Sequence, residues 1–191
     1  MFTGIVQEIG QVVEIQKEDT LLRYAVSFSH KGLNLGASVS IDGVCQTVVR
    51  INDAAWFEAV LETCERSTIG QLKKGAYVNI ERSVTFGQEI GGHLVSGHVS
   101  DRVEVVKIDG NVYTFSCKNT DYLFDKGFVS LNGVSLTVCD VKGNTFKVNF
   151  IPETLERTTF GSKKVGDLIN IEYDPMTQVI VETVKRISIV N

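Results

Sequence analysis

No Cys-x-x-Cys pair occurs in the sequence, and its four cysteines (Cys45, Cys64, Cys117 and Cys139) stand at irregular spacing. That argues against a zinc site or a disulfide framework and leaves free thiols in a reducing compartment. A basic run is missing too. The nearest thing, Lys163–Lys164, reads as a solvated turn, and the net charge of −4 argues against a nucleic-acid surface, which needs clustered Lys and Arg. No apolar run approaches the roughly 20 residues that span a bilayer, and the opening MFTGIVQEIG has neither a charged n-region nor a long apolar stretch. Proline occurs only twice, and glycine is spread across turns instead of being gathered in a linker. These absences predict a cytoplasmic protein with no membrane segment, no nucleic-acid partner and no metal.

What is present is a phrase stated twice. SIDGVCQTVV (40–49) and SLNGVSLTVC (130–139) match at half their positions. ETCERSTIG (62–70) returns as ETLERTTFG (153–161), and KKGAYVNIE (73–81) as KKVGDLINIE (163–172) with a small slip in register. FTGIV (2–6) aligns with VSGHV (95–99), and the order is the same in both halves. Chance does not preserve order, spacing and identity together, so the reading is an internal duplication with domains at about 1–89 and 90–187. At 191 residues, each half can still bury a small core.

Within each half the pattern is β. ASVSIDGVCQTVVRI alternates apolar or β-branched residues with small polar ones about an Asp-Gly turn, and VYTFSC and FKVNFI are further short alternating runs. Six or so short strands per half predict an all-β protein of two closed six-stranded barrels, since closure removes aggregation-prone edges. One short helix is expected in each half at the ETCER and PETLER segments, the second with Pro152 at its head and Gly161 at its tail. In the tail, 177–191, Ile180, Val184 and Ile187 share a helical face, although the β-branched content suits a strand nearly as well. Such a face packs either on its own chain or on another subunit.

The densest chemistry is GGHLVSGHVS (91–100), with His93, His98, Ser96, Ser100 and three glycines. Glycine admits a ligand close to the backbone, and histidine exchanges protons near neutral pH. If the segment is extended, two histidines an odd five apart face opposite sides, which makes them poor joint metal ligands. Cys45 stands where the second copy has Ser135. A thiol attacks only when deprotonated, and a lone strand cysteine otherwise packs in a core.

MFTGIV at the start, GGHLVSGHV in the middle and IPETLERTT near the end resemble the riboflavin synthase family of the trimeric α-chain type, in order and over essentially the whole chain. The resemblance implies two six-stranded barrels with a C-terminal helix. It also implies a dismutation in which two molecules of 6,7-dimethyl-8-ribityllumazine exchange a four-carbon unit, without metal or organic cofactor, between barrels of neighbouring subunits in a homotrimer. An association with lumazine synthase goes with it. It places Ser38, Cys45 and His98 as catalytic positions of the first pocket, with His93 in a supporting role. Gly4, Ile5, Val6, Thr47, Thr63, Thr68, Gly97, Lys126, Ser135, Thr137, Ile151, Thr154, Thr159 and Asp174 fall at substrate-binding positions, and Glu172 is a further candidate. The lumazine proteins and yellow fluorescent proteins of luminous bacteria share this fold without the activity, so a non-catalytic antenna is the alternative. Asn132, Gln46 and Glu65 depart from the family pattern, as does a tail that is short after Asp174.

Overall fold

A computed structural model describes residues 1–190. Six strands form the first barrel: β1 (Glu8–Lys17), β2 (Leu21–Ser27), β3 (Ser38–Ile41), β4 (Val44–Ile51), β5 (Ala55–Val60) and β6 (Tyr77–Arg82). Six more form the second: β7 (Asp101–Asp109), β8 (Val112–Ser116), β9 (Phe128–Leu131), β10 (Val134–Lys142), β11 (Thr145–Asn149) and β12 (Leu168–Tyr173). Both close in the same order, β1-β2-β5-β4-β3-β6 and β7-β8-β11-β10-β9-β12, with every pairing antiparallel. Closure satisfies every strand edge, as the short alternating runs required.

Alternation decides what fills each barrel. In β4, Val44, Gln46 and Val48 point inward and Cys45 and Thr47 outward; in β10, Val134, Leu136 and Val138 point inward and Ser135 and Thr137 outward. Tyr24, Ile41, Phe57 and Ile80 pack the first core, and Phe115, Leu131, Phe146 and Phe160 the second. Gln46, an amide in an apolar row, has a partner there: the buried Tyr24 hydroxyl donates to its Oε1 at 3.1 Å. By strand register the counterpart of Tyr24 is Tyr113, whose hydroxyl donates instead to the Phe160 carbonyl at 3.1 Å, so Leu136 at the matching place is free to be apolar.

Short helices α1 (Leu61–Arg66) and α2 (Pro152–Arg157) bridge the fifth and sixth strands of each half, and each runs on into a single 3₁₀ turn. The tail is helix α3 (Pro175–Val190), so the helical alternative holds; Asn191 lies outside the described residues. Asp174 caps it, its Oδ2 accepting from Thr177 N and Oγ1 at 2.8 Å each, with Pro175 beginning the first turn. One side of α3 rests on the second barrel through Tyr122–Glu182 and Lys185–Asp121, while Met176, Val179, Ile180 and Val184 stay exposed. No helix of the described residues is long and apolar enough to cross a membrane.

The barrels meet at their equivalent turns. Asp42–Gly43 and Asn132–Gly133 adopt positive φ at both residues, the twist that suits a two-residue hairpin. A Cβ on Gly43 would lie 2.6 Å from Gly133 N, which is why glycine is needed there. Around them runs a buried amide lattice. Asn79 N donates to Asp42 Oδ1 and Asn79 Nδ2 to the Asn132 carbonyl; Asn170 N donates to Asn132 Oδ1 and Asn170 Nδ2 to the Asp42 carbonyl. Asn132 therefore serves the joint between barrels, and the departure from aspartate leaves its acceptor role intact.

Candidate active site

Each barrel carries on its outer face a groove whose wall is lent by the other half. Residues 95–99 lie along β4, where Cys45 N donates to the Gly97 carbonyl at 2.8 Å; residues 2–6 lie along β10, where Ser135 N donates to the Gly4 carbonyl at 2.8 Å. The two walls join each other through the antiparallel bridge Phe2–Val95. Gly97 (φ +82°) and Gly4 (φ +73°) are required twice over. Their conformation is left-handed, and a Cβ would sit 2.6 Å from the Cβ of Cys45 or Ser135 respectively.

Two carboxylates clamp these walls. Glu81 Oε1 accepts from Thr3 N (2.6 Å) and Thr3 Oγ1 (2.8 Å), and its Oε2 from Gly4 N (3.1 Å). Glu172 repeats this with Ser96 N and Oγ (2.7 Å each) and Gly97 N (2.9 Å). Burial pushes both acids above the usual carboxylate range, and the donors pull back against it. Glu172 therefore holds the wall in place.

The first groove encloses about 250 Å³ lined by Val44, Cys45, Glu62, Thr63, Arg66, Ser67, Gly97, His98 and Val99. An imidazole and a thiol thus border one cavity, with a hydroxyl at Thr63. The register sets Ser38 opposite Thr47 and Ser40 opposite Cys45, so Ser38 and Thr47 share the outer face beside the cavity without lining it. In the second barrel the same register sets Phe128 opposite Thr137 and Ser130 opposite Ser135. Position by position, Ser38 becomes Phe128, Cys45 becomes Ser135 and His98 becomes Ile5.

The second groove has one feature of its own. Gly91 and Gly92 bring His93 over β10, where its Nδ1 lies 2.6 Å from Ser135 Oγ and its ring stacks on Phe128 at 5.1 Å. Burial holds the His93 imidazole below the ordinary histidine range, with Asp174 acting weakly the other way. Ile5 borders a larger recess of about 380 Å³, with Glu81, Arg82, Gln88 and Gly91. The two histidines serve different barrels, and among the described residues no three His, Cys, Asp or Glu side chains gather as a metal would need.

Three comparisons bear on this geometry. The model of the lumazine binding domain family matches residues 3–83 and again 96–174, once per barrel. A riboflavin synthase of Buchnera aphidicola subsp. Schizaphis graminum is 45% identical over 98% of this chain and 95% of its own, and one of Escherichia coli 42% identical over 98% and 93%.

This chain belongs to the riboflavin synthase family.

Among solved structures, LumP complexed with 6,7-dimethyl-8-(1'-D-ribityl) lumazine superposes with a TM-score of 0.79 at 25% identity, over 90% of this chain and 98% of that one. LumP complexed with flavin mononucleotide gives a TM-score of 0.82 at 24% identity, over 91% and 100%.

The riboflavin synthase motifs lead to Cys45, Thr63, Gly97 and His98, which the fold gathers in one cavity, and to Gly4 and Ser135, which touch in the other groove. Ile151 and Thr154 sit at the head of α2, Lys126 (φ +69°) and Thr137 on the outer side of the second barrel, and Val6 against the second core. Thr68 and Thr159 lie at the joint between barrels. Their backbone N–H groups donate to the side chains of Asn170 and Asn79, and Thr159 is buried in the joint between barrels. Asp174 spends Oδ2 on capping α3. Glu62 and Arg66, which line the first cavity, were missed, although the repeated Glu-x-x-x-Arg of ETCER and ETLER was a signal; each pair forms an i,i+4 ion pair.

Proposed function

We propose that this protein is a riboflavin synthase, a transferase that moves a four-carbon unit between two 6,7-dimethyl-8-ribityllumazine molecules. The products are riboflavin and 5-amino-6-(ribitylamino)pyrimidinedione. The observation that carries this reading is the pair of grooves with one backbone plan and unlike side chains: His98, Cys45 and Ser38 in one, Ile5, Ser135 and Phe128 in the other. Two identical substrates need two cradles, and making one the donor and its twin the acceptor needs the cradles to differ.

His98 is the base for the ring methyl proton, directly or through a water, a role worth about 10²–10⁴ in rate. Cys45 or Ser38 generates the nucleophile or stabilises an adduct at the ring. Holding the rings together is the larger effect, since well-oriented pairs recover roughly 7–11 kcal/mol of barrier. No cofactor is required, because each heterocycle is the other's reagent. The reaction site lies between subunits of a homotrimer in the cytoplasm, where lumazine synthase associates with it as supplier of the substrate. The exposed apolar side of α3 supports the assembly.

The test is direct. Purified protein and the lumazine should yield riboflavin fluorescence, and turnover per subunit should fall on dilution as subunits part. Binding without turnover at any concentration would instead indicate an antenna protein, and constant specific activity on dilution would place both cradles within one chain.

A further inference from the structure

The wall that carries His98 is held by both barrels. Its backbone lies on the first, where Cys45 N donates to the Gly97 carbonyl at 2.8 Å. Its amides turn to the second, where Glu172 of β12 accepts from Ser96 N, Ser96 Oγ and Gly97 N at 2.7, 2.7 and 2.9 Å. The grip extends to the histidine. Ser96 Oγ, while donating to Glu172 Oε1, accepts from His98 N at 3.1 Å, so a carboxylate, a hydroxyl and the His98 amide stand in series. The exposed His98 imidazole makes no hydrogen bond among the described residues, and the backbone beneath it is what places it. On the other wall Glu81 holds Thr3 and Gly4 in the same way, but Ile5 stands at the place of His98 and its N–H turns to Glu81 directly.

We propose that Glu172 is a positioning residue for the base: through Ser96 and Gly97 it fixes where the His98 imidazole stands in the first cavity, and its negative charge holds the imidazolium that forms. This rests on the functional reading above. The three groups hydrogen-bonded to the carboxylate all donate to it, the arrangement of an ionised acid, and its charge and a protonated His98 attract each other. The proton leaves the ring methyl carbon of one lumazine, whose electron pair stays on that molecule, and His98 receives it directly or through a water. Glu172 gains and loses none. Of the other titratable groups on the cavity wall, Glu62 and Arg66 pair with each other at 3.1 Å, and Cys45 meets the His98 segment through its backbone. Glu172 is thus the carboxylate tied to the segment of the base, and it comes from the barrel that does not bear the groove.

Kinetics and hydrogen exchange test this. Glu172→Gln keeps the shape and loses the charge, so kcat should fall about 10-fold or more, the scale of a charge-assisted hydrogen bond. Lumazine affinity, read by fluorescence titration, should stay within about 2-fold. Ser96→Ala cuts the series at its middle and should lower kcat by about 5-fold. Ser96→Thr, which copies Thr3 of the other wall, should recover most of the rate. In the His98→Ala background Glu172→Gln should slow the residual rate no further, because the clamp acts through the histidine. Glu81→Gln should show the opposite split, a higher KM with kcat within about 2-fold. In the ligand-free Glu172→Gln chain the Ser96, Gly97 and His98 amides should exchange about 10-fold faster or more, while those of Thr3 and Gly4 keep the wild-type rate. An unchanged kcat in Glu172→Gln, equal losses of rate and affinity, a further loss on top of His98→Ala or unchanged exchange at 96–98 would overturn the proposal. If the wild type makes no riboflavin at all, the functional reading fails instead, and the exchange rates still report whether Glu172 anchors the segment that carries His98.

Discussion

The two grooves share nearly everything except the atoms that could react. Both lie on the outer face of the third and fourth strands, both are walled by a glycine-bearing segment from the other half, and both walls are clamped by a buried glutamate through the same three donors. They differ at His98 and Ile5, Cys45 and Ser135, Ser38 and Phe128, and in the ring of His93 laid over the second. The joint between barrels shows the same logic, with Asp42 on one side and Asn132 on the other accepting from equivalent backbone N–H groups. A backbone plan used twice tolerates exchange of outward side chains, because the inward rows that hold each barrel together are left alone.

The comparison is broken most severely at His98. His98→Ala should lower turnover by about 10²–10⁴ while changing lumazine affinity little, and Ile5→His in that background should not restore it, since the second groove lacks Cys45. Equal losses in rate and affinity, read by steady-state kinetics and fluorescence titration, would remove the proton-transfer role.

Next is Asp42. Burial raises its pKa from 3.8 to about 6, with Lys163 opposing. The folded state thus holds this proton more tightly than the unfolded one, so the group's contribution to stability falls as pH rises from about 4 to 6 and stays low above that. Asp42→Asn, which copies the second barrel, should abolish that fall, leaving a stability that no longer depends on pH across this range. Urea unfolding at pH 4 and 7.5 measures it, and parallel wild-type and variant curves would contradict the assignment.

Gln46→Leu also copies the second barrel, but it strands the Tyr24 hydroxyl. A loss of about 1–3 kcal/mol is expected, largely relieved by Tyr24→Phe in the same chain; thermal unfolding of the two variants reads this out. Smallest of all is Glu153→Gln on exposed α2, where breaking the pair with Arg157 should cost no more than about 0.5 kcal/mol by the same measurement.

The barrels, the two short helices and the Asp-Gly hairpin were legible because each is a local pattern: alternation, a proline head, a turn pair. Cys45 and His98 were legible through family motifs that cover the whole chain. The exchange of walls was not. The alignment of 2–6 with 95–99 reveals a repeated unit but not which barrel that unit lies against, because the contact is made through space and not along the chain. Gln46 looked like an apolar row interrupted for no reason until Tyr24, on another strand, supplied the reason. Thr68 and Thr159 sit in the repeated ERSTIG and ERTTFG phrases, and repetition says they matter without saying whether to a ligand or to Asn170 and Asn79.

The exchanged walls have an evolutionary consequence. Residues that diversify one pocket sit half a chain away from the barrel they serve, on wall segments outside the strands of either barrel, each touching a core through one valine, Val6 or Val99. One codon change in the stretch 95–99, such as one that places histidine at 98, therefore alters one pocket and leaves its twin as it was. Duplication supplied the symmetry, and the crossing of the chain supplied a place to break it.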